Sequence, residues 1–335
     1  MKNQRIWACS AVLVGLGLVV GCADEGPGED RTPPDQAVMG SALPEGAQAI
    51  SLLGEPLFPP TASADVQAGR EEQLAEALAQ LQVDPEGAEA LIWAGRRYAY
   101  MGEYRRAIDI YSTGIDSHPD DARFYRHRGH RYISVREFDN AIADFQKAAE
   151  LIEGTVDEVE PDGQPNARGI PTSTLHFNIW YHYGLAYFVK GDFEAAEAIY
   201  RTCMESSVHA DSKVATAHWL YMTLRRMGQE NEAREFIQGL DLDALAMEII
   251  ESGSYLELLR VYSRAEAGDQ NPIPEMDPES VEGAALGYGI GDFYLYNGLE
   301  DDAREVYEGI LTARDQWAAF GYIAAEADLA RLERE

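Results

Sequence analysis

Hydrophobic and polar positions divide the chain into stretches of different period. From Ile6 to Val20 it is apolar and carries no charge, just after Lys2 and Arg5. That run is too short and wrongly flanked for a membrane-spanning helix and has the form of a secretory signal sequence, residues 1–21. From about Ala23 to Pro60, prolines and glycines break every period (Pro27, Pro33, Pro34, Pro44, Pro56, Pro59, Pro60). This predicts a flexible, acidic tether over residues 22–64. From about Asp65 onward apolar residues recur at helical spacing, which predicts helices and no sheet.

Within the helical part the same residues return after 34 positions. Gly95, Tyr98, Gly102, Tyr104, Ala107 and Tyr111 form one set, and Gly129, Tyr132, Arg136, Phe138, Ala141 and Phe145 the next. The offsets recur as Gly184, Tyr187, Gly191, Phe193, Ala196 and Tyr200, and as Gly291, Tyr294, Gly298, Glu300, Ala303 and Tyr307. A degenerate copy reads Tyr221, Leu224, Gly228, Glu230, Ala233 and Ile237. A small residue and an aromatic three apart share one helix face. The glycine lets a second helix approach and the aromatic fills the gap beside it. The later glycine suits the left-handed conformation that ends a helix, and the alanine marks the closest helix crossing.

This order of small residue, aromatic, turn glycine, aromatic, alanine and aromatic resembles the tetratricopeptide repeat. Asp84-Pro85 and His118-Pro119, again 34 residues apart, match its closing proline. The resemblance covers roughly residues 65 to 330. It implies an all-α, right-handed superhelical solenoid of antiparallel helix pairs that binds partners along a concave wall built from the first helix of each pair. It places Arg96, Arg123, Arg126 and His130 on that wall, joined by Asn178, Tyr181 and His218. The Lys/Asn pattern of the family's clamp for chaperone tails is not reproduced.

Departures from the repeat set the expected domain plan. Arg136 stands where a turn glycine is expected. Residues 152–174, rich in Gly, Pro and acidic side chains, predict an excursion loop from the solenoid edge. Leu242 to Glu266 reads as a degenerate helix pair, so the solenoid runs over 65–267. Pro272, Pro274 and Pro278 then predict a linker over 268–282 and a subdomain boundary there. Residues 283–335 hold a final repeat and, from Trp317 to Leu332, an amphipathic capping helix; a helix over Asp65 to Leu81 caps the other end.

The apolar leader ends in Leu18-Val19-Val20-Gly21-Cys22, which resembles the bacterial lipobox. The resemblance implies cleavage before Cys22 and acylation of its thiol, and multiple acyl chains anchor a protein stably to a membrane. Ala23 stands where an inner-membrane retention signal would place Asp, which favours the outer membrane. The expected location is therefore the cell envelope, lipid-anchored.

A net charge of -31 argues against nucleic acid as a partner. Three cysteines (Cys9, Cys22, Cys203) give no disulfide framework, and Cys203 falls where a small buried residue is expected. His127 and His130 share a helix face but make an incomplete metal pair. No phosphate-binding glycine loop or nucleophile elbow is present. The expectation is no catalytic residue, no cofactor and no metal. Nine arginines nonetheless crowd between Glu89 and Arg136 against six acidic residues. They either pair with the chain's own carboxylates or hold an acidic group of a partner. The leading function is a membrane-tethered scaffold for a protein or peptide. The alternatives are a subunit of an envelope assembly or export complex and, last, a helical-toroid enzyme acting on glycans, which would need paired acids facing one cavity.

Overall fold

The computed structural model describes residues 43–269, 273 and 281–334. The signal sequence, Cys22 and the tether as far as residue 42 lie outside these residues, as does most of the 268–282 linker. Helices start where the sequence offers a cap. The Ser63 side chain accepts the Val66 N–H to open α1 (Ala64–Val83). Successive antiparallel pairs follow: α2 (Ala88–Tyr100) with α3 (Tyr104–Ser117), α4 (Ala122–Ser134) with α5 (Phe138–Ile152), and α6 (Leu175–Lys190) with α7 (Phe193–Ser206). Then come α8 (Ala210–Arg226) with α9 (Glu230–Gln238), a short pair α10 (Leu242–Glu248) and α11 (Gly253–Glu266), and α12 (Val281–Tyr296) with α13 (Glu300–Leu311). The fold is an all-α, right-handed superhelical solenoid of antiparallel helix pairs.

The repeat residues do the packing that their spacing implies. A Cβ on Gly184 would lie 2.6 Å from the Tyr200 ring, and one on Gly129 would lie 2.9 Å from Phe145. Gly95 meets Tyr111, and Gly291 meets Tyr307, in the same way. These four first helices thus lie so close to their partners that only hydrogen fits. Ala107, Ala141, Ala196, Ala233 and Ala303 are fully buried at the matching crossings. Gly102, Gly191, Gly228 and Gly298 end first helices at positive φ. In the degenerate copy Tyr221 takes the glycine place and Ile237 the aromatic one, so bulk changes sides.

The inner wall is formed by α2, α4, α6, α8 and α12, each touching the next. It is not open along its length. The expected capping helix, α14 (Phe320–Leu332), packs on α6, α12 and α13, and every residue from Gly321 to Ala330 is buried. A helix apolar on all sides belongs in a core, whereas a cap needs a polar outer face. Its polar residues are neutralised from the wall. Arg136 pairs with Glu326 at 2.7 Å, and Arg226 with Asp328 at 2.9 Å and Asp292 at 2.7 Å. Arg136 has φ 66°, unlike any other non-glycine residue described. Its guanidinium also donates to the carbonyls of Ser134 and Trp317, and those bonds offset a left-handed backbone that costs roughly 1–2 kcal/mol.

Two further expectations are corrected. The stretch read as tether is ordered from residue 43. Its hairpin, β1 (Ala49–Ile50) with β2 (Pro56–Leu57), docks against the C-terminal end: Leu52 N–H donates to Glu326 at 2.6 Å, and Trp317 Nε1 to the Phe58 carbonyl at 2.7 Å. Proline prevents helix here, but Pro59 and Pro60 pack on Gly102 instead of leaving the chain free. Beyond the linker there is no separate subdomain, because α12 packs on α8 and α11 and residues Leu43–Glu335 form one unit.

Candidate functional site

Where α14 does not reach, the inner wall is roofed by the loop of residues 153–174. Loop residues are held from both sides. Arg96 donates to the Pro161 carbonyl at 2.7 Å, Arg97 to the Gly163 carbonyl at 3.3 Å, and Asn178 Nδ2 to Glu160 at 2.7 Å. Gly163 lies so close to Tyr100 that a side chain there would collide with its hydroxyl. The loop therefore crosses the wall instead of leaving the edge, since its carbonyls satisfy arginines that the wall would otherwise bury unpaired.

Beneath the loop is a chamber of about 130 Å³ lined by Arg96, Tyr100, Arg126, His127, Arg131 and Glu160, among others. Arg96 and His130 come together because they are one repeat apart, at equivalent positions of α2 and α4. Arg126 Nε lies 3.0 Å from Glu160, yet off the N–H axis, so that buried donor makes no hydrogen bond. His127 Nε2 is 3.5 Å from the other Glu160 oxygen. Arg96 lies over Trp93 at 4.5 Å and donates to Tyr100 OH at 3.2 Å; Arg131 lies over Tyr104 at 5.2 Å. Among the described residues neither guanidinium makes an ion pair. Three arginines thus face a single carboxylate inside an acidic protein.

The histidines around the chamber add no further charge. Burial, reinforced by the neighbouring arginines, holds His127, His130 and His182 well below the usual imidazole range. The His130 ring lies 4.3 Å from His182 and 5.3 Å from Phe320 of α14, tilted against both. Two more cavities adjoin. One of about 180 Å³ shares Arg96, Arg126 and Glu160 with the chamber; another of about 470 Å³ shares Ala99, Tyr100 and Arg131.

Of the residues placed on the concave wall by the repeat pattern, Arg96, Arg126 and Asn178 gather round Glu160, and His130 lines the chamber beside them. Arg123 sits apart at the start of α4, tied to Asp121 at 2.6 Å and to Glu89. Tyr181 and His218 lie in the core. Trp219 Nε1 donates to Tyr181 OH at 2.8 Å. His218 is fully buried against Tyr255 and Tyr262, and burial takes its pKa down to about 3. Cys203 is buried too, its thiol pushed up to about 12. The pattern passed over Arg131 and Glu160. Arg131 was legible only as part of the arginine cluster; Glu160, in a segment without period, gave no signal.

Tetratricopeptide repeat models match residues 94–154 and 177–207. None of the curated proteins compared with the sequence matches it. Among solved structures, the tetratricopeptide repeat protein YrrB, described as having an unusual peptide-binding site, is 16% identical with a TM-score of 0.39, over 71% of this chain and 91% of its own. A tetratricopeptide repeat protein from Parabacteroides merdae is 15% identical with a TM-score of 0.45, over 77% of this chain and 93% of its own. No enzyme family is indicated. Residues 94–154 and 177–207 are therefore tetratricopeptide repeats, set in a longer helical solenoid.

Proposed function

We propose that the protein is a lipid-anchored scaffold of the bacterial cell envelope, which holds a protein or peptide partner bearing acidic groups on the inner wall of its first repeats. The observation that carries this reading is the surplus of guanidinium groups at Arg96, Arg126 and Arg131 around the single carboxylate of Glu160. A partly buried cation without a counter-charge is costly, so such a surplus gains most from an external anion. The anchor rests on the lipobox-like Leu18–Cys22 segment, with Cys22 the acylated residue and Ala23 favouring the outer membrane. Cross-linking in intact cells, with the lipidated protein as bait and mass spectrometry as readout, tests the scaffold. Expected is a partner captured by the native chain and lost from Arg96→Ala/Arg126→Ala; unchanged capture removes the inner wall as the binding surface. Membrane fractionation of Cys22→Ala tests the anchor, and continued membrane association contradicts it.

A further inference from the structure

The loop of residues 153–174 is long for a link between helix pairs, since residues 118–121 and 207–209 suffice for the neighbouring links. Its neck is fixed: Leu175 N–H donates to the Glu158 carbonyl at 2.9 Å, and Val159 pairs with Thr174. Beyond the neck, residues 160–163 meet the wall. There Arg96 and Arg97 donate to two loop carbonyls, and Arg126, His127 and Asn178 surround the Glu160 carboxylate. Carbonyls and a carboxylate are what an acidic peptide would offer to the same side chains. The loop is itself such a peptide, with Glu153, Asp157, Glu158, Glu160 and Asp162 against Arg168 as its one base. We propose that residues 160–163 are a tethered competitor: the protein's own acidic segment occupies the wall and lifts off when the acidic partner takes its place.

The attachment is of a kind that releases. Val156, Val159 and Ile170 are exposed, and no residue of the loop belongs to the hydrophobic core. The tip is therefore held by polar contacts, which exchange for those of another acidic segment and weaken with salt. An apolar covering such as α14 has no such substitute, because its release would expose buried side chains to water. On so short a tether the tip has an effective concentration of about millimolar, enough to turn away weak anions but not a stronger partner. Its closeness to the wall depends on Gly163. A Cβ there would collide with the Tyr100 hydroxyl and lie 2.7 Å from Arg96 Nη2, at a backbone φ outside the left-handed region. A side chain at position 163 therefore lifts the tip and leaves every arginine in place.

This inference rests on the scaffold reading and names what regulates its site. Fluorescence anisotropy tests it, with a labelled peptide of residues 155–165 added to the folded chain. The chains compared are the native one, Gly163→Ala, and one in which Gly-Ser-Gly-Ser replaces residues 160–172 above the same neck. The peptide is expected to bind the tip-replaced chain at least about tenfold more tightly than the native one, with Gly163→Ala in between, because the tethered copy no longer competes. Adding Arg126→Gln to the tip-replaced chain is expected to weaken the peptide about tenfold, the effect of losing a charge-assisted contact. Circular dichroism melts establish that each variant folds, and Gly163→Ala decides alone if the larger replacement does not. Equal affinity for the native chain and Gly163→Ala overturns the proposal, as does no binding by any opened chain. In intact cells Gly163→Ala is expected to raise capture of the cross-linked partner. If Arg96→Ala/Arg126→Ala abolishes capture while Gly163→Ala leaves it unchanged, the competitor fails and the scaffold reading stands. Capture indifferent to both removes the scaffold reading itself.

Discussion

The two ends of the inner wall are covered in opposite ways. Toward the C-terminal side a helix fills the groove, and the charges there are matched: Glu326 and Asp328 of α14, with Asp292 of α12, against Arg136, Arg226 and Arg331. Toward the N-terminal side a loop roofs the groove, and three arginines meet one carboxylate. A helix presents apolar surface and buries its own backbone polar groups, so it seals. A loop exposes carbonyls and spans gaps, so it leaves space and uncompensated charge. The same repeats thus give a closed core at one end and a receptive chamber at the other, and the covering element decides which.

The contrast breaks first, and by the largest amount, at the matched charges. Glu326→Ala is expected to strand buried Arg136 and cost about 3–5 kcal/mol in chemical denaturation. A loss below about 1 kcal/mol shows that α14 is not clamped by that pair. Ala196→Leu, at a fully buried crossing outside either covering element, is expected to cost roughly 1–3 kcal/mol by overpacking. Thermal melts without any loss contradict the crossing assignment.

The next test is pH. Asp292 has its pKa raised to about 7, first by burial and then by the Asp328 charge, although Arg226 opposes this. Its folded state binds a proton that the unfolded chain has released, so stability falls as pH rises from 3.8 to about 7. Asp328, buried but held between Arg226 and Arg331, is lowered, and its contribution is lost only on acidification below 3.8. Asp292→Asn should flatten the slope between pH 4 and 7 in denaturation midpoints; an unchanged slope shows that Asp292 is ionised throughout. Glu160→Gln takes the single carboxylate from three arginines while keeping an amide oxygen to accept from them, and the expected loss is about 1–3 kcal/mol. A loss like that of Glu326→Ala erases the distinction between the two coverings.

The solenoid was legible because its packing is local. Gly95 and Tyr111, or Gly184 and Tyr200, stand at a fixed separation, and a helix pair needs nothing more distant to set its crossing. The coverings were not legible, because their partners lie far away in sequence. Glu326 and Asp328 in a C-terminal helix read as solvated until Arg136 and Arg226 are brought to them. Pro59 and Pro60 read as flexible until Gly102 is placed beneath them. Within α14 the run Gly321 to Ala325, apolar on every side, was the available sign of a buried helix. In the chamber the sequence supplied Arg96, Arg126 and His130 through the repeat register, but not Glu160, which belongs to no register.

The position of α14 also bears on the order in which the molecule is made. Stacked repeats mature one after another as they are synthesised, each on the surface left by the last. This groove follows another schedule, since its filling helix comes later in the chain than α4, α6 and α12, which it must meet. A nascent chain therefore exposes an apolar trough, with Arg136 unanswered by Glu326, until the closing helix arrives. That interval is when another chain's helix competes for the same seat, which makes a domain-swapped dimer the natural misassembly of this protein.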